Sequence, residues 1–76
     1  MSEYINEKVS VNLLNARPTL LSWHGRQYRL TQIGLHHTTR EGRVLVHIFS
    51  TTDGTTFFKL AFDTETLYWR LLEVYV

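Results

Sequence analysis

The chain contains no cysteine. Disulfide bonds and thiolate zinc centres are therefore excluded as ways of reinforcing a small fold. Nor does it hold an apolar run approaching the roughly 18 residues of a membrane-spanning helix, so no membrane partner is expected. Met1-Ser2-Glu3-Tyr4 lacks the basic stretch and apolar run of a secretory leader. No signal peptide is expected, and with no cysteine the chain suits a reducing, cytoplasmic location. The formal net charge is only +1, too small for a global field to predict nucleic-acid binding. The one proline, Pro18, falls in Asn15-Ala16-Arg17-Pro18, where it pushes Arg17 into extended geometry at a turn.

What is present is alternation. The chain has 76 residues, 43% of them hydrophobic. That is one folded domain, able to bury about 60% of its unfolded surface. Residues 1–7 are polar and read as a flexible start, with the domain proper at 8–76. Val9, Val11 and Leu13 alternate with Lys8, Ser10 and Asn12, which predicts a first strand over the competing i, i+4 helical spacing of Ile5, Val9 and Leu13. Thr19 to Trp23 predicts a second strand, and His24-Gly25 a two-residue hairpin turn in which glycine supplies a positive φ. A third strand is expected from Arg26 to His36. Its apolar parity changes from Tyr28 and Leu30 to Ile33 and Leu35, the mark of a β-bulge near Thr31-Gln32, with Gly34 able to serve the same bend.

Residues 37–42 read as a polar connection. Strands then follow over 43–50, 55–62 and 67–74, separated by Asp53-Gly54, which suits a type I′ hairpin, and by Asp63-Thr64-Glu65-Thr66. No segment reads as a helix. An open sheet would leave an apolar face bare, so the expected fold is all-β: an antiparallel meander of five or six strands curled into a small SH3-like barrel.

The run Trp23-His24-Gly25-Arg26-Gln27-Tyr28-Arg29-Leu30 resembles the Trp-x-Gly-Arg-x-Tyr-Arg-Val hairpin of a family of uncharacterised bacterial β-domains. The likeness continues through Thr52-Asp53-Gly54, Phe58 and Leu60, Phe62-Asp63, Trp69-Arg70-Leu71 and Val74-Tyr75, and spans residues from about 8 to 76. Residues 37–42 lack the tryptophan and acidic residues common there, and the last turn lacks the usual Thr-Gly. Related segments occur beside or fused to Y-family error-prone polymerase-like proteins of DNA damage tolerance. The resemblance implies nucleic acid or repair machinery as a partner and supplies no catalytic residue.

The residues themselves offer little chemistry. His36 and His37, as strand neighbours, point to opposite faces, and His24 or His47 would have to converge on one of them to build a metal site. No metal or other cofactor is expected. Ser22 and Ser50 lack a nucleophile motif. Asp63 and Glu65 form a carboxylate pair in a turn, where Asp63 is expected to accept backbone N–H bonds. The chain reads as no enzyme but as a binding module.

Its surface follows from which side chains point inward. With Val44, Val46, Ile48, Phe58, Leu60, Trp69 and Leu71 inside, the outer set is Arg29, Leu45, His47, Phe49, Phe57, Lys59, Tyr68 and Arg70. Six of the eight basic residues are arginine, four of them between positions 26 and 43, and arginine both stacks and pairs with phosphate. Arg29, His47, Phe57, Lys59, Tyr68 and Arg70 thus form a candidate platform for single-stranded nucleic acid or a repair protein. Leu45, Phe49 and Phe57 form the alternative, an apolar patch for a protein partner or homodimer. Plain structural cover of the sheet is the third reading.

Overall fold

Apolar side chains that alternate along short runs are buried only when the runs pair and the pleat turns one set inward. The computed structural model describes residues 2–75 and meets this demand with seven antiparallel strands and, among the described residues, no helix. They are β1 (Ser2–Leu14), β2 (Arg17–Trp23), β3 (Arg26–Arg29), β4 (Gln32–Glu41), β5 (Val44–Thr52), β6 (Phe57–Asp63) and β7 (Trp69–Tyr75). They form one sheet in the order β3-β2-β1-β7-β6-β5-β4. No helix of the described residues is long and apolar enough to cross a membrane.

Two corners bend this sheet. At the first, β1 changes partner: residues between Ser2 and Val9 pair with β7, and Ser10 to Leu14 pair with β2. A bulge between Tyr4 and Glu7, with Asn6 at φ 56°, adds local twist. At the second, β3 and β4 are consecutive in the chain yet lie at opposite ends of the strand order. Leu30 N–H donates to the Thr19 carbonyl of β2 (2.9 Å), and Thr31 N–H donates to the Thr52 carbonyl of β5 (2.8 Å). The ends of the sheet are thus drawn together at Leu30-Thr31, but β3 and β4 do not pair.

Several expectations are corrected here. The sheet keeps two free edges and is not a closed SH3-like barrel, and its strands number seven rather than five or six. The extra strand arises because the single run expected over 26–36 breaks at Leu30-Thr31, and the phase change read there is this corner. The bulge itself sits at Gly34, between the pairs Ile33–Thr51 and Leu35–Ser50. Residues 37–41 continue β4 rather than forming a connection. They are polar because an edge strand is wet along its length. Of residues 1–7, expected as a flexible start, 2–7 lie in β1 and Met1 is outside the described residues. The Asp53-Gly54 turn is a longer loop, since Thr52 and Phe57 are the last paired residues on either side.

The core lies between β4–β7 and the β2–β3 wing. Leu21, Leu30, Phe49, Phe58, Leu60, Trp69, Leu71 and Val74 form it, with Trp23 and Tyr28 packed against it half-buried. The parity of β5 is the opposite of that expected. Phe49 is 7% exposed and its ring centroid lies 5.5 Å from that of Trp69. Val46 and Ile48 turn to the other face, where they pack with Ala61, Val44 and Leu72. Thr51, fully buried, satisfies its hydroxyl by donating to the Phe58 carbonyl (3.0 Å).

Candidate binding face

The β2–β3 hairpin is architectural. Leu21 pairs with Tyr28 and Trp23 with Arg26 around the turn at His24-Gly25. His24 and Gly25 adopt φ values of 51° and 76°, the left-handed pair of a type I′ turn. Glu7 of β1 fastens the hairpin: its carboxylate accepts from Trp23 Nε1 (2.9 Å) and contacts His24 Nε2 (3.1 Å). The His24 ring stacks on Trp23 with centroids 4.5 Å apart.

Residues directly opposite on antiparallel strands share a face, so the ladders say which side chains meet. Phe57 lies opposite Tyr75, Lys59 opposite Glu73, and Glu73 opposite Tyr4. Arg70 lies opposite both Ala61 and Lys8. Phe57, Lys59 and Arg70 therefore occupy one outer face of β1, β7 and β6, together with Tyr4, Lys8 and Tyr75. Tyr68 joins them at one end, where Lys8 Nζ sits 3.7 Å from its ring centroid. Tyr4 is 67% exposed and Phe57 57% exposed, large values for aromatics in so small a fold. Shallow depressions mark the Tyr4 and Tyr68 part of this face. One of about 290 Å³ lies beside Tyr4 and Arg70, and another of about 340 Å³ beside Lys8 and Tyr68.

The cations of this face are available. Among the described residues the one ion pair closer than 4.0 Å is His24 with Glu7, so Lys8, Lys59 and Arg70 have no carboxylate at that range. Three acids share the face: Glu41 and Asp63 line the depression beside Arg70, and Glu73 lies opposite Lys59. Asp63 Oδ1 accepts the Thr66 (3.0 Å) and Glu65 (2.8 Å) amides, as the sequence led us to expect. These bonds, that of Thr66 first, hold its carboxyl below the ordinary aspartate range, with Arg70 adding to the effect. Glu73 accepts from the Tyr75 hydroxyl, which pushes the phenol upward. Asp53 does in its loop what Asp63 does here: the Thr56 and Thr55 amides lower its carboxyl.

Four of the six residues proposed from sequence are thus brought together: Phe57, Lys59, Tyr68 and Arg70. Arg29 is exposed but stands on the β2–β3 wing, opposite Leu20 and around the corner made by β1. His47 is on the other face of the sheet. There its Nδ1 lies 2.9 Å from His36 Nε2, and the His36 ring stacks on Phe49 at 4.3 Å and 4°. Among the described residues no three His, Asp or Glu side chains converge on a point a metal could occupy. The alternative patch of Leu45, Phe49 and Phe57 does not exist as one surface. Phe49 is in the core and Leu45 shares its parity, whereas Phe57 points the other way.

Tyr4, Lys8 and Tyr75 were missed. The signal for the first two was present: Ile5 extends the odd-numbered apolar set of Val9 and Val11, which sets Tyr4 and Lys8 on the opposite face. Comparison with protein-family models, with curated proteins and with solved structures gives no match.

Proposed function

We propose that this chain is a non-catalytic binding module, an opened SH3-like barrel that holds single-stranded nucleic acid on the outer face of β1, β7 and β6. One observation carries the reading. Four exposed aromatics (Tyr4, Phe57, Tyr68 and Tyr75) are interleaved there with three cations (Lys8, Lys59 and Arg70) that, among the described residues, have no carboxylate within 4.0 Å. Bases stack on aromatic faces for about 1–3 kcal/mol each, and phosphates pair with the cations between them. The likeness to β-domains found beside error-prone polymerase-like proteins extends this reading to a cytoplasmic, repair-associated role.

Titration of a labelled single-stranded oligothymidine by fluorescence anisotropy tests it. Three phosphate contacts give a slope of about −2 in log K against log salt. Absence of binding at low salt overturns the reading. A protein partner is the second reading, favoured by the exposed rings of Tyr4, Phe57 and Tyr75 on this same face. A partner held there would associate with little dependence on salt.

A further inference from the structure

The sheet stays open along one seam. β4 pairs with β5 on one side only, and nine of its ten residues are exposed. Alternate residues of an antiparallel strand direct N–H and C=O away from the partner, so β4 presents an unpaired row of both. Sheets guard such edges with lysine, proline, bulges or a covering segment. Beyond the Gly34 bulge, Leu35 to Thr39 has no lysine, proline or register shift. The opposite end of the sheet, β3, is only four residues long. Between the start of β4 and the β1–β2 turn lies a cleft of about 420 Å³, lined among others by Arg17, Leu35, His36 and Phe49.

We propose that this seam takes up an extended acidic peptide segment of a partner protein, which adds to β4 as a further strand. The charge along the seam selects the occupant. Arg17 lines the cleft, and Arg40 shares the inner row of β4 with His36, since these residues lie opposite Leu45 and Phe49. Arg43 follows in the next turn, where its carbonyl accepts from Arg40 Nη1 (3.4 Å). Glu41 is the one carboxylate on the strand, and it faces the other side, opposite Val44. An acidic segment meets Arg17 and Arg40 on its inner residues and sets apolar residues beside Leu35, which is 57% exposed, on its outer ones. Backbone bonds supply affinity and the alternating side chains supply selection, as in other strand-addition sites.

The probe is a short capped peptide alternating glutamate and valine, added to the isotopically labelled chain. Amide shifts and new hydrogen-exchange protection are expected in residues 35–41 and at Arg17. Arg17→Glu with Arg40→Glu should weaken binding by about tenfold, and a lysine–valine peptide should bind worse than the glutamate–valine one. Methylating alternate peptide nitrogens should abolish binding, because it removes the ladder donors. Equal binding of the methylated peptide, or shifts confined to the outer face of β6 and β7, would overturn the proposal. So would a chain that dimerises through β4 on its own and excludes the peptide, detected by light scattering.

Discussion

Both faces of β4–β7 carry apolar side chains, but only one of them is covered. On the inner face Phe49, Phe58, Leu60, Trp69 and Leu71 are roofed by Leu21 and Leu30, with Trp23 and Tyr28 beside them. On the outer face Val46, Ile48 and Ala61 are shielded by neighbours such as Val44 and Leu72, while Tyr4, Phe57 and Tyr75 stand free. The difference lies in the β2–β3 wing. Its two corners, in β1 and at Leu30-Thr31, fold it over one side of the sheet and leave the other side to solvent. That open face carries the exposed aromatics and, among the described residues, cations with no carboxylate within 4.0 Å.

Substitutions can break this contrast, and the largest effect belongs to the covered face. Leu60→Ala empties a fully buried position and should cost about 3 kcal/mol in urea denaturation. Phe57→Ala on the open face should change stability by less than about 0.5 kcal/mol while weakening oligothymidine binding several-fold. A Phe57→Ala loss matching that of Leu60→Ala would erase the distinction between the faces.

Next in size is the pH dependence of the loops. Asp53 and Asp63 both have carboxyls held below their ordinary range by backbone amides. The unfolded chain therefore binds protons before the folded one does. The stability they contribute is fully present above about pH 4 and is lost as pH falls below it toward the lowered folded values. Urea midpoints at acid and neutral pH should converge in an Asp53→Asn, Asp63→Asn double variant relative to the natural chain. The smallest effect concerns the turn at the mouth of the seam. Ala16 holds φ at 64°, in the left-handed region. Ala16→Gly should raise stability by about 0.5 kcal/mol, relief of that strain being partly offset by the greater freedom of glycine when unfolded.

Much of this was legible in the residues. The hairpin at His24-Gly25, the turn held by Asp63, the burial of Trp69 and the exposure of Phe57, Tyr68 and Arg70 all follow from short-range pattern. The orientation of β5 does not. Val44, Val46 and Ile48 alternate with Leu45, His47 and Phe49, so both parities are apolar, and only the wing decides which one is core. The strand nature of 37–41 was hidden because an edge strand exposes both faces, and a run of His, Thr and Arg then resembles a loop. Closure was hidden for a related reason. Whether β3 and β4 pair depends on the angle at Leu30-Thr31, which two residues of sequence do not encode by pattern.

The most direct test of the account is a map of amide shifts on adding single-stranded oligothymidine at low salt. The shifts are predicted to concentrate on Tyr4, Lys8, Phe57, Lys59, Tyr68, Arg70 and Tyr75, and to fade as salt is raised. Shifts centred instead on His36, His47 and Phe49, or none at all, would contradict the assignment of the open outer face as the working surface.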